Sequence, residues 1–236
     1  MPHTTTPDAT GWWLRDTGFS RRVSAADLRT FMQVCPERRY ARGETLFHVG
    51  DPATHLHVVA KGQVKLVVPT LDGRERILAV VGPDDLFGEA FVGEDDVYRL
   101  DAVALTEVVT CPMDQEQYRR LALHAPGFVV AFTRILADKV FACRDQLARV
   151  EAPIRSRVAA TLLEQATRYG EPADGGWLEW TTELRHEDLA AIVSATRVSV
   201  TSAVASLRQA GVLEGTRGRY RLHPEGLAAA AASYES

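Results

Sequence analysis

The sequence predicts an α+β fold: an N-terminal antiparallel β jelly roll, one long helix and a C-terminal winged helix-turn-helix. Three observations support this prediction. Between residues 43 and 88, glycines separate short runs rich in Val, Ile, Leu and Phe, a pattern typical of short strands joined by turns. From about residue 114 the hydrophobic period becomes helical. Near the C-terminus, two short helical patterns are followed by a hairpin pattern.

The composition limits the classes to which this protein can belong. The chain has 236 residues, of which 46% are hydrophobic and 25% charged, an ordinary globular composition. It has no apolar run of transmembrane length, and its N-terminus lacks the layout of a secretory signal. We therefore expect a cytoplasmic protein without a membrane partner. The net charge of −4 means that any surface suited to nucleic acid must be local.

The three cysteines, Cys35, Cys111 and Cys143, are far apart and form no CxxC pair. They predict neither a zinc site nor a disulfide framework.

The first elements follow from local signals. Residues 24–34 predict a helix that Ser24 caps, with Leu28, Phe31 and Met32 on one apolar stripe. The pair Asp72-Gly73 predicts a hairpin turn between two strands of the jelly roll.

The long helix follows Pro126 and carries an apolar seam. Its positions alternate in steps of three and four residues, the a/d repeat of helices that pair. They are Thr133, Leu136, Val140, Cys143, Leu147 and Val150. We expect a homodimer through residues 133–150; the alternative is that the seam packs on the chain's own jelly roll. Pro153 then marks a hinge before the next helix.

The C-terminal stretch predicts two helices joined by a tight turn. Thr196 can cap the second helix, which runs from Arg197 towards Gly211. Its apolar positions are Val200, Val204 and Leu207, and its opposite face shows Arg197, Ser202 and Ser206. A short helix pair in which the second helix has one polar face is typical of a helix-turn-helix.

The hydroxyl residues suit a helix that lies in the major groove, because short side chains allow a close approach and bond to phosphates and base edges. Arg197 could bridge guanine O6 and N7, or bind a phosphate. The hairpin that follows predicts a wing with Gly218 at its tip, flanked by Arg217 and Arg219. Residues 195–222 contain five arginines and one acid, a basic patch fitting phosphate contacts. The alternative is an ordinary helical pair with a surface hairpin.

This order of elements resembles the cyclic AMP receptor protein / fumarate-nitrate regulator (CRP/FNR) family of bacterial transcription factors over about residues 35–225. The segments "GETLFHVGDPATHLHVVAKGQVKLV" and "GPDDLFGEAF" are similar to the family's sensor signatures. The segment "RHEDLAAIVSATRVSVTSAVASLRQAGVL" is similar to its helix-turn-helix.

The resemblance implies a phosphate-binding cassette in the jelly roll. Glu89 would accept a ribose 2′-hydroxyl, Arg99 would pair with a cyclic phosphate, and backbone N–H groups at Gly88 and Ala90 would help hold the anion. Leu100 stands where members that bind cyclic AMP usually have serine, and Cys143-Arg144 where they present hydroxyl residues to the base. Cyclic AMP is thus a possible effector, and no metal, haem or iron–sulfur cluster is expected.

The resemblance also implies DNA contacts. His186, Thr196, Ser199 and Arg217 match phosphate-binding positions of the family. Its base-reading set R-E-x-x-x-R corresponds here to Arg197, Val198 and Ser202, so the glutamate and the second arginine are missing. Val198 could instead contact a thymine methyl. This departure implies a different half-site or stronger dependence on DNA shape.

Two other functions compete with this interpretation. His55 and His57, one residue apart, could begin a metal site in a cupin enzyme, but no carboxylate follows in residues 58–62. The chain could also be a nucleotide-binding regulatory subunit of another protein. We expect a non-enzymatic transcription regulator, an activator by the resemblance, that binds double-stranded DNA at a pseudo-palindromic operator and contacts RNA polymerase. The expected domains are residues 1–125, the helix and hinge 126–152, and residues 153–236.

Overall fold

A computed structural model describes residues 19–34, 36–70, 73, 75–92, 97–216 and 218–232. Two compact units make up the chain, Met1–Val68 with Val80–Val140, and Pro69–Ala79 with Phe141–Ser236. The predicted fold class is confirmed: antiparallel sheets come first, a long helix follows, and a helix-turn-helix with a hairpin lies near the C-terminus.

The first unit begins with a short 3₁₀ turn, Ser20–Arg22, and helix α1, Ala25–Val34. Ser24 caps α1 as predicted, because its Oγ accepts a hydrogen bond of 3.1 Å from the N–H of Asp27. Phe31 of the predicted stripe is fully buried, whereas the side chain of Met32 lies outside the described part of the chain.

Eight short strands form the jelly roll as two four-stranded sheets, ordered β1-β8-β3-β6 and β2-β7-β4-β5. The β1-β8, β3-β8, β3-β6, β2-β7 and β4-β7 pairs are antiparallel. The strands are β1 (Arg38–Tyr40), β2 (Thr45–Phe47), β3 (Leu56–Lys61), β4 (Val64–Pro69), β5 (Glu75–Val81), β6 (Leu86–Phe87), β7 (Asp101–Ala104) and β8 (Val108–Met113).

The predicted turn at Asp72-Gly73 falls between β4 and β5. Gly73 has a φ of +78°, which suits glycine, and its N–H donates to the carbonyl of Thr70 over 2.9 Å. Asp72 lies outside the described residues.

Two helices follow the strands of this unit. Helix α2, Gln115–His124, starts at a capping box between Asp114 and Gln117. Helix α3, Pro126–Ala148, begins at the predicted proline. Its first turns bury Phe128 against the rings of Phe19 and Phe31, at centroid distances of 5.3 and 6.0 Å.

The second unit is built around helix α4, Ile154–Tyr169, which follows the predicted hinge at Pro153. Helix α4 packs against α6 and α7, and its apolar face buries Val158, Leu162 and Ala166. One antiparallel sheet has the order β11-β12-β10-β9. The remaining elements are β9 (Glu171–Pro172), β10 (Leu178–Thr181), α5 (His186–Ile192), α6 (Arg197–Gln209), β11 (Leu213–Thr216), β12 (Arg219–Leu222) and α7 (Pro224–Ala232).

The structure corrects two sequence-based expectations. Helix α3 ends at Ala148, so the last seam residue, Val150, lies in the turn that follows the helix. Cys111, buried in β8, is disulfide-bonded, although the cysteine spacing predicted no disulfide framework. Sequence spacing could not show this bond because the fold decides which thiols approach each other.

Within the described chain, no single helix is long and apolar enough to cross a membrane. Two sharply bent helix pairs, Gln115–His124 with Pro126–Ala148 and His186–Ile192 with Arg197–Gln209, reach that length and composition only when each pair is taken together.

Candidate nucleic-acid interface and ligand site

Helices α5 and α6 form the predicted helix-turn-helix. Their axes differ by 102°, within the range typical of this motif. Ser194, in the turn, has a φ of +51°, a left-handed conformation that reverses the chain in very few residues. Thr196 then caps α6 as predicted, because its Oγ1 accepts a hydrogen bond of 3.1 Å from the N–H of Ser199.

Helix α6 has one buried and one exposed face. The buried face consists of Val200, Ala203, Val204 and Leu207, which includes every predicted apolar position. The exposed face runs along the helix in alternating steps of one and three residues, as a helical period requires. Its members are Arg197, Val198, Thr201, Ser202 and Ala205.

This face corrects the predicted one. Ser206 is half-buried, and its Oγ accepts a hydrogen bond of 3.1 Å from Nε of Arg155 on α4. Ser206 therefore helps attach α6 to α4 and is not part of the outer face. The sequence-based prediction missed Thr201 and Ala205, although their positions four and eight residues after Arg197 could have indicated the same side of the helix.

A hydrogen-bond chain joins the two helices at this face. Nδ1 of His186 lies 2.9 Å from Oγ1 of Thr201, and this hydroxyl donates to the carbonyl of Arg197 over 2.9 Å. Because a hydroxyl has one proton, Nδ1 of His186 is the donor to Thr201. Burial, followed by the charges of Arg208 and Arg197, lowers the pKa of His186.

Arg197 is exposed at the first turn of α6. Its guanidinium lies 3.5 Å from the carboxylate of Glu187 on α5, which is also largely exposed. A surface ion pair of this kind is weak. Arg197 can therefore leave Glu187 for a base edge or a phosphate at little cost.

Strands β11 and β12 form the predicted wing. Gly218 has a φ of +79°, and its carbonyl accepts a hydrogen bond of 2.7 Å from the N–H of Thr182. A Cβ at residue 218 would lie 2.2 Å from the carbonyl oxygen of Thr182, so this close contact requires glycine. Arg219 is exposed on β12, while Arg217 lies outside the described residues.

One arginine of the predicted basic patch is engaged within the protein. Arg221 lies 3.2 Å from Glu214 and 3.5 Å from Glu179, and its guanidinium covers the ring of Trp177 at 5.3 Å. These contacts hold Arg221 in the wing sheet, so the positive charge available to a phosphate is smaller than the sequence count suggests.

In the first unit, the sequence-predicted cassette follows β6. Gly88 has a φ of +85°, and a Cβ there would come within 2.9 Å of the carbonyl oxygen of His55. Residues Glu89–Val92 form a 3₁₀ turn directly after it. The positive φ and this close approach to His55 together require glycine at the start of the turn.

The side chains of the cassette differ in their surroundings. Glu89 accepts a hydrogen bond of 2.8 Å from Nζ of Lys139 on α3, and about one third of each side chain is exposed. Arg99 is exposed, while Ala90 and Leu100 are half-buried. The lysine was missed at the sequence level because it lies 50 residues from Glu89 along the chain.

The other two sequence-predicted ligand residues lie on α3. Cys143 is an exposed free thiol. Arg144 is also exposed, with its guanidinium 5.7 Å from the ring centroid of Phe141.

Of the two histidines that suggested a cupin site, His57 is packed in the interior of the jelly roll. His57 is buried, stacks on Phe87 at a centroid distance of 5.0 Å, and lies 3.3 Å from Oγ1 of Thr110. Burial, with smaller contributions from His55 and Arg38, lowers the pKa of His57 to about 3. Within the described residues, no group of three or more His, Cys, Asp or Glu side chains could hold a metal ion.

A jelly roll with a glycine-turn cassette and a winged helix-turn-helix with an exposed polar helix face define a DNA-binding regulator with a sensor-type domain. The profile of the cyclic nucleotide-binding domain matches residues 37–124, and that of the Crp-like helix-turn-helix domain matches residues 156–230. The chain belongs to the CRP/FNR family of transcription regulators.

Similar proteins support this assignment. The CRP-like cAMP-activated global transcriptional regulator of Mycobacterium tuberculosis is 32% identical over 173 residues, 73% of this chain and 77% of the relative. The cyclic AMP receptor protein of Thermus thermophilus is 32% identical over 180 residues, 75% of this chain and 78% of the relative.

Solved structures show the same architecture. A CRP-family transcriptional regulator of Thermus thermophilus has 29% identity and a TM-score of 0.64, covering 83% of this chain and 96% of its own. FixK2 of Bradyrhizobium japonicum has a TM-score of 0.72 over the same shares at 22% identity, a likeness in fold alone.

Proposed function

We propose that this regulator is a homodimeric, effector-gated activator that binds a pseudo-palindromic operator. The observation that carries the proposal is the pair of surfaces available for partners, one on α6 and one along α3. A two-fold dimer would present two α6 helices to half-sites about one helical turn apart.

The seam of α3 supports a homodimer through residues 133–150. Val140 is 51% and Leu147 69% exposed, and Thr133 and Cys143 are exposed beside them. Apolar positions repeating in steps of three and four on an exposed helix are typical of a helix that pairs with a second copy. Thr133 and Val140 lie in the same unit as most of the jelly roll, and their exposure favours the dimer over the alternative in which the seam packs on the jelly roll.

The cassette supports a cyclic nucleotide as effector. The turn after Gly88 would offer backbone N–H groups to an anion, Glu89 carboxylate oxygens to a hydroxyl, and Arg99 an exposed cation to a phosphate. The mycobacterial relative is named as cAMP-activated, which makes cyclic AMP the first effector to test. We propose that Ala90, Leu100, Cys143 and Arg144 complete the site.

The helix-turn-helix and the wing supply the DNA contacts in this proposal. Arg197, Val198 and Ser202 would face the bases. The residues assigned to phosphates are His186, Thr196, Ser199, Arg217 and Arg219. We further propose a cytoplasmic, non-enzymatic protein that contacts RNA polymerase, with domains at residues 1–125, 126–152 and 153–236.

The proposal is tested by selecting binding sites from a randomised duplex pool with purified protein, with and without cyclic AMP. The expected result is a palindromic motif enriched when the nucleotide is present, and a dimer in sedimentation. An asymmetric motif bound by a monomer would contradict the dimer. Equal enrichment of one motif under both conditions would contradict gating by cyclic AMP.

Two variants sharpen this test. Replacing Leu147 by Glu would place a charge in the seam, so we expect monomers and weaker operator binding. Glu164→Lys, which changes an exposed residue of α4 outside the seam, should leave the dimer intact.

A further inference from the structure

Two of the five exposed residues on the outer face of α6 are apolar. Val198, in the first turn, is 79% exposed, and Ala205 is exposed two turns further on. Neither side chain is covered by the rest of the unit, so neither contributes much burial to folding. A β-branched residue is also a weaker helix former than alanine.

Thr201 lies between these two residues on the same face, and its hydroxyl is already engaged. Oγ1 of Thr201 donates to the carbonyl of Arg197 and accepts from Nδ1 of His186. To contact a base, this hydroxyl would have to give up both bonds. The part of Thr201 that remains available for contact is therefore its methyl group.

We propose that α6 reads the C5 methyl groups of thymines through an apolar strip formed by Val198, Thr201 and Ala205. This inference rests on the proposed binding of α6 in the major groove. There, each thymine exposes one methyl group, and apolar side chains are the groups that contact it favourably.

The length of the strip along α6 matches the length of several base-pair steps. Val198 and Ala205 are seven residues apart, about 10 Å along a helix, close to three base-pair steps. Arg197 and Ser202 flank the strip and supply the hydrogen-bonding groups. The half-site should therefore combine one strongly read guanine with two or more thymines whose methyl groups are required.

The test removes the methyl groups one at a time. Each thymine of the selected half-site is replaced by deoxyuridine, which keeps the hydrogen-bonding edge and lacks only the methyl, and affinity is measured by fluorescence anisotropy. The expected result is about a fourfold loss at each of two or more positions, the amount that burial of one methyl group provides.

The variant Val198→Ala identifies which thymine methyl group Val198 contacts. In this variant, one thymine position should lose its sensitivity to deoxyuridine. The other positions should keep theirs. Val49→Ala removes the same atoms from an exposed valine of the jelly roll, and every position should keep its sensitivity.

The outcomes are distinct. If no motif is recovered from the pool, the proposed DNA-binding function fails and this inference fails with it. If a motif is recovered but deoxyuridine weakens binding nowhere in the half-site, the inference alone is overturned. The same holds if Val198→Ala retains full sensitivity at every thymine.

Discussion

The recognition helix and the cassette are built in opposite ways. The side chains proposed to face the bases come from α6, a single helix of 13 residues, and they lie exposed along one side of it. The groups of the cassette come from β6, a 3₁₀ turn and α3, and Glu89 is already bonded to Lys139. A surface that reads DNA needs a rigid local frame with free side chains. A gated site can instead hold internal contacts that a ligand replaces.

The two regions also use their histidines differently. His57 is sealed inside the jelly roll, and burial lowers its pKa to about 3. His186 is half-exposed beside α6, and its pKa is lowered by burial and by Arg208 and Arg197. One histidine is therefore packed in the interior of the jelly roll, whereas the other is partly accessible to solvent beside α6.

The largest expected effect concerns His57. The unfolded chain takes up a proton near pH 6.5, while the native histidine stays neutral down to about pH 3. The contribution of neutral His57 to the free energy of unfolding is therefore complete above pH 6.5. It falls as the pH drops, by about 5 kcal/mol at pH 3. Urea unfolding at several pH values measures this dependence. Between pH 6.5 and 5, the His57→Gln variant should lose about 2 kcal/mol less stability than the unchanged protein. An unchanged pH dependence in that variant would assign the acid sensitivity to other groups.

The second prediction concerns Arg197. Replacing it by Ala should weaken binding to the selected operator by about 1–3 kcal/mol, the range for a bidentate contact to a base. Binding to a scrambled duplex should change much less. Arg219→Ala is the matched control, because it removes an exposed arginine from the wing and should affect both duplexes alike. Equal losses on both duplexes for Arg197→Ala would make this residue a phosphate contact.

A smaller effect is expected from the arginines of the wing. Arg217→Ala and Arg219→Ala should each lower the slope of log affinity against log salt by about 0.9, since each would remove one phosphate contact. Arg221→Ala should change the slope less, because Glu214 and Glu179 already neutralise this arginine. Titrations at four salt concentrations provide the measurement. If all three variants and the unchanged protein had the same slope, the wing would not contact the phosphates of DNA.

The smallest effect concerns the ion pair of the cassette. Lys139→Met should cost less than ~1 kcal/mol of stability, because the pair is partly exposed. It should also tighten cyclic AMP binding up to about fivefold, the equivalent of that pair energy, because Glu89 no longer has to leave the lysine. Asp138→Asn, which breaks the neighbouring ion pair with Arg22, should leave the nucleotide affinity unchanged. Isothermal titration measures both variants, and weaker binding to Lys139→Met would show that the lysine itself holds the ligand.

The sequence by itself determined the helical elements near the C-terminus and the buried face of α6. The period of α6 identified its buried residues Val200, Val204 and Leu207, and the caps at Ser24 and Thr196 were predicted correctly. These features depend on residues within one or two helical turns, so a local pattern contains the information. The spacing along α3 likewise indicated a seam, although the helix ends before Val150.

Only the tertiary structure decided which polar groups find partners. It turned Ser206 towards Arg155, bonded the hydroxyl of Thr201 to His186, and paired Glu89 with Lys139. It also buried His57 and placed Cys111 in a disulfide. Such partners lie on other elements, some of them tens of residues away, and their approach depends on how those elements pack. The helical period predicts that a side chain faces outward, whereas the fold decides whether its polar group is still available there.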